Sequence, residues 1–258
     1  MIVTLQEVQA FASQQLDRAK NFATKIQFVE KSAIAERYSA ESRSIRASIA
    51  DDPEFAGMEY SDGKSTWTSI LSVDLRDSTK LADQISPRNM YLTMHTFLPT
   101  LAYVCEHSGG EVMNFRGDGL FAAFGLKKIN SAEDEPSNEE KLIANRSSVI
   151  CGLRLLQSIS NAIEVVLSDD GIQIDLHAGV GIDCGHATVT RIGWMSAGEL
   201  TAYGSCVNEA CHLANSRDRV VVSSRITDLY PSGEGGQLRF QPTAAGGFEA
   251  HFGELLLV

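Results

Sequence analysis

The segment that most constrains the fold is a pair of apolar runs joined at Gly117-Asp118-Gly119. Glycine and aspartate at a tight turn between apolar segments predict a β-hairpin over residues 111–124. An apolar, partly β-branched run at 70–75 precedes this hairpin, and an alternating run at 172–182 follows it. Both runs have the composition and period of strands, so we predict at least four strands in this part of the chain.

Two helical segments separate these strands. Residues 87–107 and 142–163 repeat apolar side chains at three- and four-residue steps, as amphipathic helices do. Pro99 predicts a kink in the first helix. The resulting order is strand, helix, hairpin, helix, strand, which is the βαββαβ pattern of ferredoxin-like folds. We therefore predict an α+β domain in which the first strand of the hairpin lies beside the strand at 70–75.

The remaining sequence adds elements at both ends of this domain. Residues 1–60 form an N-terminal helical region, with a predicted helix over 5–38 and a connector from residue 50, and 61–258 form the main domain. The apolar stripe of the N-terminal helix fits either a coiled-coil dimer contact or a helix docked on its own domain. Beyond residue 182 we predict a helix over 205–217 and extra strands at 220–222, 238–240 and 255–257.

Charge and cysteine content exclude several classes of protein. A formal net charge of −11 argues against a general nucleic-acid binder, because duplex binding depends on Lys and Arg against phosphates. The five cysteines lack C-x-x-C spacing, which indicates reduced thiols rather than a zinc site. We find no apolar run long enough for a membrane span and no secretory signal, so we expect a cytoplasmic protein. An acidic protein that binds phosphates needs local positive charge, and metal ions supply it.

Two aspartates are the candidate metal ligands. Asp74 ends the strand at 70–75 and Asp118 lies at the hairpin tip, so the predicted topology brings both carboxylates to one end of the sheet. Carboxylate oxygens suit Mg²⁺ or Mn²⁺, with triphosphate oxygens completing the coordination shell. Two such ions about 4 Å apart ease deprotonation of an attacking hydroxyl and neutralise a leaving pyrophosphate. Taken singly, Asp118 also fits a plain turn residue and Asp74 a helix N-cap.

Four segments in this order resemble the motifs of class III adenylate and guanylate cyclases. They are metal motifs at 73–81 and 109–118, a strand-to-glycine segment at 177–185, and the Gly-x-x-Val-Asn-x-Ala helix start at 204–210. The resemblance extends from about residue 66 to the C-terminus and leaves the N-terminal helical region uncovered. It implies an enzyme that closes a nucleoside triphosphate into a 3′,5′-cyclic monophosphate.

The resemblance also implies roles for individual residues in a homodimer with composite active sites. One protomer would bind two Mg²⁺ or Mn²⁺ ions through Asp74, Asp118 and the Leu75 carbonyl. The other protomer would contribute Asn208, which orients the ribose and the transition state. The first metal motif also supplies the candidate substrate-binding residues Arg76, Ser78 and Thr79.

Two positions depart from the family pattern. One turn after Asn208 the family carries an arginine that stabilises transition-state charge, and here His212 occupies that position. Histidine is a weaker and titratable substitute, and Arg217 or Arg219 is an alternative source of charge. His212 also fits a partly buried helix residue without a catalytic role. The family's phosphate-binding lysine has no match near 245–247, so a silent nucleotide-binding dimer module is the alternative to an enzyme.

The base is read in this family at two positions, which are Asn114 and Thr201 here. Adenylate cyclases tend to carry Lys with Asp or Thr, and guanylate cyclases carry Glu with Cys. The Asn114 amide fits O4 and N3–H of uracil, or N1 and the amino group of adenine. The sequence is similar to the pyrimidine cyclases of bacterial anti-phage signalling (Pycsar), whose product activates a separate effector. This similarity favours UTP as substrate, with adenylate cyclase activity as the alternative.

A diguanylate cyclase has a related hairpin on a similar fold. Its Gly-Gly-Asp/Glu-Glu-Phe motif needs a second acidic residue, which is missing after Asp118. The Val-Asn helix start has no place in that family either, so we set this interpretation aside.

Overall fold

A computed structural model describes residues 3–26, 55, 57–60, 62–131, 134–194, 197–230 and 237–253. The helices are α1 (Leu5–Ile26), α2 (Ser78–Gln84), α3 (Pro87–His107), α4 (Asn138–Asp169), α5 (Ser205–Leu213) and α6 (Ser224–Thr227). The strands are β1 (Gly63–Leu75), β2 (Glu111–Arg116), β3 (Gly119–Lys128), β4 (Ala178–Trp194), β5 (Ala197–Tyr203), β6 (Arg219–Val222), β7 (Leu238–Pro242) and β8 (Phe248–Phe252). The predicted connector and the predicted strand at 255–257 lie outside the described residues.

In the described part of the chain the strands form one eight-stranded sheet. Its order is β2-β3-β1-β4-β6-β8-β7, and β5 pairs with the far end of β4. The first four strands have the ferredoxin-like βαββαβ arrangement, and further strands follow it at the C-terminal side, so the predicted α+β fold is confirmed. One detail of the prediction is wrong: β3, not β2, lies beside β1. Helix α3 connects β1 to β2 by passing over the position of β3. The first hairpin strand, β2, therefore lies at the edge of the sheet, and β3 fills the place between β2 and β1.

Side chains alternate along β1 and divide the core in two. Leu71 packs in a large cluster with α1, α3 and α4 on one face of the sheet. Its neighbour Ile70 packs in a smaller cluster with α5 on the other face. Successive strand residues point to opposite faces, so this division follows directly from the run of apolar residues at 70–75.

The strand predicted at 172–182 begins later and runs further. Residues 172–177 are not a strand, and β4 extends from Ala178 to Trp194. The Ile172 and Leu176 side chains are nevertheless buried in the large core cluster. Their backbone amides donate to the Leu167 carbonyl and to the Glu164 carboxylate of α4, not to a neighbouring strand. Apolar alternation in this loop therefore reflects contact with the helix end and not sheet pairing.

Helix α4 covers the sheet as a continuous element of 32 residues with a π-turn at Ile159–Ile163. The Ser137 side chain and Glu140 form a capping box at its start, so the helix begins four residues before the apolar repeat predicted from residue 142. Ile143, predicted to be buried, is 60% exposed. By length and composition α4 is apolar enough to cross a membrane, contrary to our expectation, but half of the apolar window is buried inside the protein.

Helix α1 docks on its own domain. Its apolar stripe shares the large core cluster with α3, and the side-chain amide of Gln9 donates to the Asn161 carbonyl in the π-turn at 2.7 Å. Phe11 stacks on Tyr103 of α3 with ring centroids 4.3 Å apart. The docked-helix interpretation therefore holds for residues 5–26, and the rest of the helix predicted to residue 38 lies outside the described residues.

Phe11→Ala is expected to lower the free energy of unfolding by about 2 kcal/mol, through lost burial and lost ring stacking on Tyr103. Chemical denaturation of the full chain measures this change. Arg18→Ala, at an exposed position of the same helix, is the matched control and should change stability by less than about 0.5 kcal/mol. Equal stability of the two variants would show that α1 is not part of the cooperative core.

Candidate active site

The register of β1 and β3 brings Asp74 and Asp118 to the same end of the sheet. Asp74 pairs with Gly119, so Asp118 at the hairpin tip is the next residue along the facing strand. A side chain at Gly119 would collide with the Val73 carbonyl and lie against the Asp74 carboxylate. Glycine at this position therefore lets the hairpin turn close over the Asp74 side chain.

A third oxygen donor lies at the same edge. The Arg76 amide donates to the His177 carbonyl at 2.7 Å, across the β1–β4 side. Because hydrogen bonding alternates along antiparallel strands, the Leu75 carbonyl faces the opposite neighbour, which is the hairpin. Two carboxylates and one backbone carbonyl are a hard-oxygen donor set, and such a set fits Mg²⁺ or Mn²⁺.

Arg76 forms an ion pair with Asp74 and also donates to Asn215 Oδ1 at 2.9 Å. The Asp74 side chain is 36% exposed, and ion pairs at such positions contribute only about 0–1 kcal/mol. The ion pair with Arg76 therefore compensates the Asp74 charge but contributes too little stability to make Asp74 a structural residue. A divalent cation held by Asp74 would compete with Arg76 for the same oxygens.

The segment after Asp74 carries the other predicted substrate-binding residues. Ser78 and Thr79 begin α2, half-buried and exposed respectively. Asp77 stands at the N-cap position with a left-handed φ of 57°, but its side chain does not cap the helix. Hydrogen bonds from Lys80 and then Arg217 hold the pKa of Asp77 below its usual value. Asp77 is therefore an ion-pair partner and not a side-chain cap of α2.

Asn208 and His212 lie one turn apart on α5, and both are exposed. The interpretation of His212 as a partly buried helix residue is therefore wrong. Helix α5 rests directly on β4, because a side chain at Gly181 would collide with the Ala210 carbonyl and one at Gly179 with the Ala214 carbonyl. The helix ends at Leu213, earlier than the predicted residue 217.

The two arginines considered as alternatives to His212 are already paired. Arg217 binds Asp77 at 2.5 Å, and Arg219 lies 3.5 Å from the Glu249 carboxylate. Both contacts lie at the surface, within the described part of the chain.

The two candidate base-reading residues touch each other. Asn114 on β2 and Thr201 on β5 are 7% and 5% exposed, and the Asn114 amide nitrogen donates to Thr201 Oγ1 at 3.3 Å. Asn114 Oδ1 is buried without a hydrogen-bond partner in the described structure. The pair therefore presents one free carbonyl acceptor and, since Thr201 already accepts from Asn114, one hydroxyl free to donate.

Comparison with known proteins finds cyclases among the similar sequences and structures. No protein-family model matches the chain. A uridylate cyclase from Rhodovulum sp. (strain MB263) is 25% identical over 157 residues, which is 58% of each chain. A cytidylate cyclase from Escherichia coli is 26% identical over 176 residues, 67% of this chain and 37% of the relative. The chain thus matches less than two thirds of the length of either relative.

The crystal structure of the adenylyl cyclase CyaB from P. aeruginosa superposes with a TM-score of 0.58 at 17% identity, over 73% of this chain and 94% of that chain. The chain has the class III nucleotidyl cyclase fold. Within this cyclase fold Asp74 and Asp118 share one edge of the sheet, and Asn208 and His212 lie on the helix that rests on β4. The cyclase fold also contains β5, which the sequence patterns did not predict and which carries Thr201.

Proposed function

We propose that the protein is a metal-dependent nucleotidyl cyclase that converts a nucleoside triphosphate into a 3′,5′-cyclic monophosphate and pyrophosphate. The observation that carries this proposal is the pairing of Asp74 with Gly119, which sets Asp118 beside Asp74. The donor set at this edge suits cations and the phosphates bound to them. The relatives named uridylate cyclase and cytidylate cyclase support the reaction class.

In the proposed reaction the ribose 3′-oxygen attacks the α-phosphorus, the bond from that phosphorus to the β-bridging oxygen breaks, and pyrophosphate leaves. The hydroxyl proton passes to solvent. Asp74, Asp118 and the Leu75 carbonyl would hold two Mg²⁺ or Mn²⁺ ions, which lower the cost of that deprotonation and neutralise the leaving group. Arg76, Ser78 and Thr79 follow Asp74 and Leu75 along the chain and, in this proposal, would contact phosphate oxygens.

The second half of the site comes, in this proposal, from the partner protomer of a homodimer. In the described chain the Asn208 and His212 side chains form no hydrogen bond or ion pair and are open to solvent. An amide fixed on a short helix orients the ribose hydroxyl for in-line attack, and such positioning is a large part of catalysis. Each dimer then has two equivalent composite sites.

UTP is the proposed substrate. The free Asn114 carbonyl oxygen accepts a hydrogen bond from uracil N3–H, and the Thr201 hydroxyl donates to a uracil carbonyl. Adenine meets the same pair with its amino group and N1, so adenylate cyclase activity is the alternative. The relative named uridylate cyclase and the Pycsar-like sequence favour UTP. Cyclic UMP would then act as a second messenger for a separate effector in anti-phage defence.

Incubation of the purified protein with Mn²⁺ and each of the four nucleoside triphosphates tests this proposal. We expect cyclic UMP as the dominant product, resolved by chromatography. Dominant cyclic AMP would overturn the base assignment and leave the reaction class intact. Calorimetric binding of a nucleoside triphosphate without turnover of any of the four would replace the enzyme with a silent nucleotide-binding dimer module. That module is favoured by His212 in place of the family's arginine.

A further inference from the structure

The proposed reaction lacks an obvious cation for the α-phosphoryl group on the half-site that carries Asn208. His212 stands where the family has an arginine, and a neutral imidazole carries no charge. Arg217 and Arg219 are held by Asp77 and Glu249. Charge that develops on the transferring phosphoryl oxygens needs a fixed positive partner in phosphoryl-transfer sites.

Arg116 lies on the same sheet face as the base-reading pair. Asn114 is directly opposite Phe121, and Phe121 is directly opposite Ser72, so these three side chains form a row across β2, β3 and β1. The Arg116 guanidinium lies over the Phe121 ring, 4.2 Å from its centroid. Arg116 is therefore in contact with the middle residue of that row.

The other end of the row reaches α5. Ser72 lies on the sheet face on which α5 packs, and its hydroxyl lowers the pKa of the Cys211 thiol, the residue immediately before His212. Burial raises the pKa of the Cys211 thiol, and the positive charge of Arg116 acts in the opposite direction. Arg116 thus shares with Asn114, the candidate base-reading residue, the sheet face on which the helix of Asn208 packs.

The Arg116 guanidinium is also available. The side chain is exposed, and in the described part of the chain it forms no ion pair with a carboxylate. Stacking on Phe121 orients the planar guanidinium without neutralising its charge. A guanidinium presents paired N–H donors that match two phosphate oxygens, so an oriented and unpaired arginine suits a phosphoryl group.

We infer that Arg116 is a catalytic residue that binds the α-phosphoryl oxygens and supplies the transition-state charge that His212 does not. The inference rests on the proposed cyclase function. While the 3′-oxygen bonds to phosphorus and the bond to pyrophosphate breaks, negative charge grows on those oxygens, and Arg116 donates hydrogen bonds to them. The residue belongs to the half-site of Asn114, Thr201 and Asn208, opposite the metal-binding half-site of the partner.

Kinetics of Arg116→Ala with Mn²⁺ and the best of the four nucleoside triphosphates test this inference. We expect kcat to fall about 100-fold with KM changed less than about threefold, because the lost contact strengthens in the transition state. Arg146→Ala, at an exposed position on α4 across the sheet, is the matched control and should keep wild-type kinetics. The double variant Arg116→Ala/His212→Arg should recover to within about tenfold of wild type, since it restores an arginine on α5.

The outcomes separate the inference from the function on which it rests. An active wild type with unchanged kcat in Arg116→Ala overturns the inference alone, and so does a double variant without recovery. No cyclic product from wild type with any triphosphate overturns the proposed function. If Arg116→Ala does not fold, Arg116→Gln replaces it, because glutamine keeps an aliphatic stem over the Phe121 ring. A thermal midpoint of Arg116→Gln within about 3 °C of wild type, together with the same loss of kcat, supports the inference.

Discussion

Asp118→Asn is expected to abolish cyclic nucleotide formation, with a loss of at least about a thousandfold in kcat/KM. The substitution keeps the size of the side chain and the hairpin turn but removes the charge that binds divalent cations. Asp118 is half-buried at the tip of the β2–β3 hairpin and is not part of the hydrophobic core. The thermal midpoint should therefore stay within about 3 °C of wild type.

Product formation from the preferred triphosphate, measured across a Mn²⁺ titration, gives the readout for this variant. Asp169→Asn, an exposed carboxylate at the end of α4, is the matched control and should retain full activity. Near-normal rates for Asp118→Asn at every Mn²⁺ concentration would show that the metal assignment is wrong, whatever the fold of the variant.

Mixing two inactive variants is expected to restore activity. In a homodimer with composite sites, Asp118→Asn spoils the metal half-site of one protomer and Asn208→Ala spoils the other half-site of its partner. A mixed dimer keeps one intact site, so random co-assembly should restore about a quarter of wild-type activity from two variants that each have almost none. Co-expression measures this recovery in the unfractionated product, and mixed dimers purified through two affinity tags should have about half of wild-type activity, because one of their two sites is intact.

The same experiment has a clear opposite outcome. If each protomer held a complete site, the mixed dimers would stay as inactive as either parent. Combining both substitutions in one protomer and pairing it with a wild-type chain provides the control, because this arrangement places one substitution in each of the two composite sites. Such dimers should have no activity, although they contain one fully wild-type chain.

The sequence predicted the elements whose periodicity reflects burial on one face. Helix α3 begins and ends where its apolar repeat and flanking residues indicated, and the hairpin turns at Gly117-Asp118 as expected. The end of a short apolar strand predicted the position of Asp74. Its proximity to Asp118 follows from the βαββαβ topology, although the prediction placed β2 instead of β3 beside β1. Both hairpin strands meet at the tip, so the error left the site unchanged.

Other features depend on contacts that no local pattern encodes. Strand β5 is short and has no continuous apolar run, so its pairing with β4 is not evident from the sequence, although Leu200 and Ala202 are buried in the smaller core cluster. The contact between Asn114 and Thr201 joins residues 87 positions apart and became visible only with that strand. Arg116 was overlooked although it lies two residues after Asn114. The period of two along β2 is the signal that places both side chains on one face.

The bare backbone of β4 beneath α5 determines how firmly Asn208 is held. At Gly179 and Gly181 the helix rests on peptide groups, so no rotamer change alters the spacing between helix and sheet. Exposed side chains around Asn208 can change rotamer, while the Cα atom of Asn208 keeps its position relative to β4, the longest strand in the described residues. In the proposed homodimer, the Asn208 amide would therefore be presented to the partner protomer from a position fixed by the sheet.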